Sequence, residues 1–494
     1  MYLGIDLGTS EVKVVLVDQS QNLVATSHEP LKVQRPHPLW SEQRPDDWWR
    51  ATDLAIRAIR HTHAAQLTAV KGIGLSGQMH GAVLLDAEDR VLRPAILWND
   101  VRSGAECVEL ERQVPTSREL TGNMAMPGFT APKLLWVARN EPEIFARTAR
   151  VLLPKDYLRL LLTGEHVSEM SDAAGTLWLD VAKRDWSDEM LAATNMDRSY
   201  MPRLVEGSAP SGNLRQEVGR SWGMSDAAIV AGGAGDNAAT AVGIGAVADG
   251  QGFISLGTSG VFFIANRAYR PNPNRGVHTF CHALPDTWHQ MAVMLSAASC
   301  LRWVTQVTGA QNESALITEV EALSDEAKTR APLFLPYLSG ERTPHNDPFA
   351  QGVWFGLQHD TNRAALGYSV LEGVAFGLAD GYAALQAAGG SAHSVLLTGG
   401  GSRSVYWASL IASILDLPLA LPEGSEIGAA LGAARLGLLA AEPKATIDAV
   451  CTTPRAIATI EPNATWRDSL LSSFAKFQQL YPPLRPLFRQ GAPT

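Results

Sequence analysis

Residues 2–7 (YLGIDL) form an apolar run broken only by Asp6, and residues 12–17 (VKVVLV) form a second run rich in β-branched side chains. Gly8, Thr9 and Ser10 separate them. Short apolar runs bounded by small turn residues predict two strands joined by a tight turn. The polar cluster 18–22 (DQSQN) predicts a loop, and Leu23–Ser27 a third strand. Proline and aromatic residues dominate 35–49, after which the spacing predicts an amphipathic helix from about Asp46 to Ile59. Residues 72–76 (GIGLS) return to strand. Three antiparallel strands, a helix and another strand indicate a ribonuclease-H-like α/β unit.

The same pattern restarts at 251–264, QGFISLGTSGVFFI. Its pentapeptide Ser255–Ser259 (SLGTS) differs from Asp6–Ser10 (DLGTS) only at the first position, and each copy lies between two strand-like runs. Such an echo favours a duplicated unit. The expected architecture is therefore α/β, with two domains, 1–245 and 246–494, and a cleft between them. Further on, 362–388 predicts a long helix, 394–398 a strand, 404–415 a helix, 425–441 an alanine-rich helix and 464–482 a closing helix.

A chain of 494 residues is too long for one core, and 46% hydrophobic residues suffice to build two. The formal charge of −9 argues against a nucleic-acid or anionic-membrane partner, while leaving room for a phosphate held by backbone amides. Four widely spaced cysteines (Cys107, Cys281, Cys300, Cys451) form no C-x-x-C pair, so reduced thiols are expected. The first residues lack a basic segment followed by an apolar one, and no uninterrupted apolar stretch approaches the ~18–20 residues of a membrane helix. A cytoplasmic protein is expected.

Five segments can carry chemistry. Asp6, Thr9, Ser10 and Lys13 surround the first turn, where small residues leave amides and hydroxyls for phosphate and Lys13 adds a point charge. A carboxylate in an apolar strand needs a partner, and Mg²⁺ would serve, unless Asp6 simply bonds the turn amides. In AGGAGDNAAT (231–240), glycines lead to Asp236 at a helix start. It is placed either as an N-cap or as a base that accepts a hydroxyl proton. Thr258 and Ser259 repeat the first turn without its aspartate. In LLTGGGSRSVYW (396–407), Gly399, Gly400 and Gly401 allow a flat ligand to lie on bare backbone. In GLSGQMHG (74–81), Gln78 and His80 are suited to bonding hydroxyls. The aromatic residues at 40, 48, 49 and 98 are expected to pack, and the charge run 319–328 to be a solvated helix face.

Taken in order, DLGTS, GGAGDNAA, SLGTSG and LLTGGGSRS resemble the actin/hexokinase ATPase superfamily, and within it the FGGY carbohydrate kinases; the segment 128–140 (GFTAPKLLWVARN) is similar to a signature of that family. GQMHG, LWNDVR, SDAAGTLWLD and LPYLSGERTPHNDP resemble its branch that phosphorylates D-xylulose. The resemblance implies ATP-dependent formation of D-xylulose 5-phosphate in pentose catabolism, with ATP and Mg²⁺. It implies Asp236 as catalytic base, Asp6 as the magnesium-associated carboxylate, and Met79 and His80, with Gln78 beside them, in the sugar site. Thr9, Ser10, Lys13, Thr258 and Ser259 would meet phosphates, and Gly399–Gly401 the adenosine. A homodimer is implied on the same ground. Two features depart from the family pattern: Glu11 follows GTS where a small residue is usual, and the loop before Asp236 is one residue longer. Other acceptors (ribulose, gluconate, glycerol, fuculose) and a non-catalytic nucleotide-dependent sensor or chaperone remain open.

Overall fold

The computed structural model describes residues 1–424 and 427–489. Two seven-stranded sheets organise the chain. The first contains β1 (Tyr2–Leu7), β2 (Glu11–Val17), β3 (Leu23–Pro30), β4 (Gly72–Gly77), β5 (Pro210–Asn213), β6 (Ile229–Ala231) and β7 (Ala234–Gly235). Its order is β5-β6-β4-β1-β2-β3, with β7 also on β4. β1 and β2 form the expected hairpin, and β4 lies parallel to β1.

The second sheet repeats this plan. β8 (Gln251–Leu256) and β9 (Gly260–Asn266) form a hairpin, followed by β10 (His278–Cys281), β11 (Trp288–Met294), β12 (Ser394–Thr398), β13 (Leu419–Pro422) and β14 (Ala456–Ile460). β12 runs parallel to β8, as β4 does to β1. The duplicated two-unit α/β fold read from the strand–turn–strand echo is present.

Helices cover the sheets. α1 (Pro45–Thr68) buries Trp48, Ala51, Ala55, Ile56 and Ile59 against the first core. It runs past the expected end at Ile59 because Leu67, fully buried, anchors a last stretch beyond a kink at His63. The polar residues between carry no apolar stripe, so periodicity alone stops early. Other helices that bear on the site are α2 (Thr130–Asn140), α3 (Pro154–Thr163), α4 (Met170–Ala174) and α5 (Asp236–Ile244).

In the second half, α6 (Arg363–Ala387) is buried nearly all round and forms the centre of that core. α7 (Val405–Leu415) is N-capped by Ser404, whose Oγ accepts from the Trp407 amide at 3.1 Å. α8 (Gly428–Ala441) occupies most of the expected 425–441 helix, and residues 425 and 426 lie outside the described residues. α9 (Ala464–Phe488) continues beyond the expected residue 482 through Pro482, Pro483 and Pro486. Its end is held by buried Tyr481 and Phe488, a tertiary anchor that outweighs the missing proline donors.

The placement of α8 is not legible in its sequence. Though it comes late in the chain, it lies on the first sheet. A Cβ on Gly4 would sit 1.9 Å from the Ala430 carbonyl oxygen, and one on Gly74 1.7 Å from that of Ala433. α8 also crosses α5, where a Cβ on Gly243 would meet the Gly428 oxygen at 1.9 Å. Bare glycine backbone is what permits these approaches. Among the described residues, no helix is long and apolar enough to cross a membrane. The four cysteines are buried and free.

Candidate active site

Asp6 is the penultimate residue of β1, opposite Ser76 of β4. The Ser76 hydroxyl donates to Asp6 Oδ1 at 2.9 Å. Burial pushes the Asp6 carboxyl up from its ordinary range, the Ser76 hydrogen bond and Lys13 oppose that rise, and Glu11 adds to it. Lys13 Nζ stands 3.4 Å from Glu11 Oε1, so the acid after the turn accompanies the lysine of the next strand.

On the other side of β4, Ala234 of β7 pairs with the same Ser76. Two residues later α5 begins at Asp236. The chain reaches that point through Gly232 and Gly233. Gly233 has φ +78°, and a Cβ there would lie 2.3 Å from the Leu75 carbonyl oxygen. Asn237 donates to Asp236 Oδ1 twice, from its backbone at 2.7 Å and from its side chain at 3.0 Å. Oδ2 takes no hydrogen bond among the described residues. Burial first, and the Asp6 charge second, push the Asp236 carboxyl up to about 6. The arrangement is a helix-start aspartate with one oxygen open and an affinity for protons near neutrality, which suits general base chemistry.

Asp6 and Lys13 line a cavity of about 620 Å³ together with Thr240, Ser255, Gly399 and Gly400. Ser255 stands on β8 where the echoed pentapeptide replaces Asp6. A second cavity of about 520 Å³ adjoins it, sharing Gly400 and Arg403 and adding Gly401, Leu301, Ile317 and Trp407. Of the three glycines after β12, Gly399 and Gly401 fold against Leu256, where a Cβ on Gly399 would lie 2.7 Å from the carbonyl oxygen and one on Gly401 2.5 Å from Cδ2. A Cβ on Gly400 would meet nothing within 4 Å. Thr258 and Ser259 are exposed at the second turn. The Thr258 carbonyl accepts from the Ala297 amide at 2.9 Å and the Ser299 hydroxyl at 2.8 Å. Thr9 is half-buried and Ser10 exposed at the first turn.

Gln78 and His80 differ in what they leave available. The Gln78 side chain accepts from Thr9 Oγ1 at 3.0 Å and donates to Gln43 Oε1 at 2.8 Å. These two bonds tie Gln78 to Thr9 and Gln43 and leave its second amide N–H and second oxygen lone pair unassigned. His80 has φ +70°, and its carbonyl accepts from Lys133 Nζ at 2.8 Å and Thr130 Oγ1 at 3.1 Å, both from α2. Its Nδ1 lies 2.6 Å from the Gly175 carbonyl, which can only accept, so Nδ1 carries the proton. Burial lowers the ring to about 3, leaving a neutral imidazole whose Nε2 offers a lone pair. Met79 is buried beside it, against Gly175 and Gly235.

Comparison with known proteins places the chain in a family. Residues 1–243 match the N-terminal domain of the FGGY family of carbohydrate kinases, and residues 252–441 its C-terminal domain. The chain belongs to the FGGY family of carbohydrate kinases. It is 56% identical over 448 residues to the xylulose kinase of Escherichia coli, covering 90% of this chain and 91% of that one. It is 54% identical over 446 residues to the xylulose kinase of Klebsiella pneumoniae, covering 90% and 91%. The crystal structure of a xylulose kinase from Brucella ovis superposes with a TM-score of 0.95 at 55% identity, covering 98% of this chain and 99% of that one.

Four more residues of this FGGY kinase gain definite positions. Trp98, expected to pack, is 44% exposed, and its indole N–H donates to Thr9 Oγ1 at 3.0 Å. The pairing crosses 89 residues of sequence and has no local signal. Asp100 and Arg102 are buried and paired at 2.7 Å, with Arg102 also 2.8 Å from Glu42 and stacked 3.6 Å over Trp40, so both brace the loop. Arg342 lies 3.4 Å from His278 Nε2, both in the second half, and its charge helps to depress His80.

Proposed function

We propose that this FGGY kinase transfers the γ-phosphoryl group of ATP to the terminal hydroxyl of D-xylulose, giving D-xylulose 5-phosphate. The observation that carries the reading is the pair of carboxylates to either side of β4: Asp6 on β1, in the wall of a cavity with a lysine and bare glycine backbone, and Asp236 at the start of α5 just after β7. Xylulose as acceptor is supported by the identity of 54–56% to the curated xylulose kinases.

In this reading, Asp236 Oδ2 receives the acceptor hydroxyl and takes its proton as transfer proceeds. Phosphoryl transfer is largely dissociative, so orientation and charge neutralisation contribute more than proton removal. His80 Nε2 accepts a sugar hydroxyl, and Met79 forms an apolar wall. Gln78 fixes Thr9, while the turns at Thr9–Ser10 and Thr258–Ser259 offer amides and hydroxyls to phosphates and Lys13 offers a point charge. Gly399–Gly401 lie beside the adenosine. Asp6 fits magnesium, being a half-buried carboxylate on the cavity wall that is destabilised by burial, and magnesium keeps most of its waters. Bound there, the ion would supply positive charge against the phosphates.

The division at residues 245 and 246 gives a first domain for sugar and phosphates and a second for the nucleotide. Closure of one on the other would exclude water from the γ-phosphate. The enzyme is assigned to the cytoplasm as a homodimer, which light scattering on the purified protein would test.

A coupled ADP-release assay over a panel of ketoses, gluconate and glycerol tests the function. Xylulose should give the highest kcat/KM, and Asp236→Ala should lose about 10³-fold in turnover while still binding ADP. Preference for another acceptor, or normal turnover in the variant, contradicts the reading. If no acceptor accelerates ATP consumption, a sensor replaces it.

A further inference from the structure

His80 and the start of α5 are joined by one short element. α4 holds the Asp236 side through Ser171, whose Oγ accepts from the Gly235 amide at 3.1 Å. It holds the His80 side through the Gly175 carbonyl just after its last turn, at 2.6 Å from Nδ1. Contact there is tight: a Cβ on Gly175 would lie 2.7 Å from His80 Nδ1 and 2.8 Å from Met79 Cε. A Cβ on Gly235 would lie 2.9 Å from Met79 Sδ. The two ends of α4 thus touch His80 and the residue that leads into Asp236.

α4 itself rests on a fully buried ionic anchor. Glu169 caps it, accepting from the Ser171 and Asp172 amides at 2.7 and 2.9 Å, and from the Ser171 hydroxyl at 3.1 Å. Lys155 of α3 lies 2.7 Å from Asp156, 3.0 Å from Asp172 and 3.2 Å from Glu169, all with side chains 0% exposed. One turn on, Arg159 pairs with Asp156 and donates to the carbonyls of Val167 and Gly232. Gly232 belongs to the glycine turn that delivers Asp236. Three carboxyls face two cations, and burial pushes Asp172 up to about 8.

A buried ion cluster is weak evidence for stability, because apolar residues of the same volume do as well or better. What distinguishes this one is where its hydrogen bonds end: at Gly232, at α4, and through α4 at Gly235 and His80. We propose that α4 and its ionic anchor are a strut that sets the distance between the base and the sugar-orienting histidine, with Ser171 and Gly175 as positioning residues for phosphoryl transfer. The inference rests on the roles assigned above to Asp236 and His80. It requires that loosening either end act on the acceptor and spare the nucleotide.

Two variants of the full-length enzyme test it. Ser171→Ala removes the acceptor for the Gly235 amide. It should lower kcat about tenfold, with KM for xylulose and for ATP within about twofold of the parent, since small displacements of a reacting group are costly. Gly175→Ala is permitted by the backbone, where φ is −76°, yet sets a methyl against His80 and Met79. It should raise KM for xylulose about tenfold and leave KM for ATP unchanged. Overturning results are kinetic constants within twofold of the parent in both variants. A parallel loss in kcat and both KM values with a fall in melting temperature would likewise overturn the strut, since that is what a merely structural role gives. Should Ser171→Ala fail to fold, the Gly175→Ala split decides. Asp236→Asn is assayed alongside. Turnover surviving there defeats the base assignment, whereas an inactive Asp236→Asn with unaffected strut variants defeats the strut alone.

Discussion

Asp6 and Asp236 lie to either side of β4, Asp6 level with Ser76 and Asp236 two residues past the level of Ser76. Ser76 pairs with Asp6 on one side and with Ala234 on the other, and both flanking strands run parallel to β4, so the two carboxylates leave the sheet at the same end. The charge of one is felt by the other: after burial, Asp6 is the largest cause of the rise in Asp236 to about 6.

The pH dependence of the rate follows from this. A base must be ionised to accept a proton, so kcat/KM for the sugar should fall about tenfold per pH unit below about 6. Asp6→Asn removes one cause of the raised value. Its residual activity, read in a pH–rate profile, should therefore show the acid limb displaced to lower pH. A limb at the same pH in the variant would contradict the coupling.

Stability should move opposite to activity at Asp236. An acid whose folded pKa lies above its unfolded value disfavours folding once pH exceeds the folded value, and that penalty disappears as pH falls to the unfolded one. Asp236→Asn should thus be more stable than the parent above pH 6, by about 1–3 kcal/mol, with the difference vanishing near pH 4. Thermal unfolding at pH 7.5 and at pH 4 compares the two ends of this range.

Buried histidines predict acid lability. Burial lowers His80 and His282 to about 3 and His278 and His289 well below the ordinary range. Each is neutral when folded but protonates when unfolded below about pH 6.5, so stability falls as pH drops, by up to ~1.4 kcal/mol per unit per group. Neither ring nitrogen of His289 has a hydrogen-bond partner among the described residues, and the ring stacks 4.5 Å from Phe263. His289→Phe should therefore raise the melting temperature at pH 5.5 more than at pH 7.5. An equal shift at both pH values would refute this.

Two glycine substitutions should separate binding from folding. Gly400→Ala has open space for its methyl, but at the junction of the two cavities. It should leave the melting temperature within a degree or so and raise KM for ATP about tenfold, ~1.4 kcal/mol, with KM for xylulose unchanged. Gly432→Ala drives a methyl to 1.8 Å from the Ala239 carbonyl where α8 crosses α5. It should cost about 3 kcal/mol of stability, visible as a lower denaturant midpoint.

What the amino-acid order determined by itself is the local part. Apolar runs around DLGTS and SLGTS specify two hairpins, because strand period and turn chemistry act over a few residues, and the repeat of one in the other reveals two α/β units. Asp6, Asp236 and Gly399–Gly401 stand out as candidates for the same reason, each being a polar or bare position where a strand ends. Tertiary structure alone decided their partners. Gln78 bonds Thr9 and Gln43, Trp98 turns to Thr9, and α4 links Gly235 to His80, all across tens of residues. The small residues of α8 carry no stripe that names a neighbour, and only glycines brought opposite them let that helix lie on the first sheet. Pattern along a chain reports which face a residue presents, whereas long-range packing selects what that face meets.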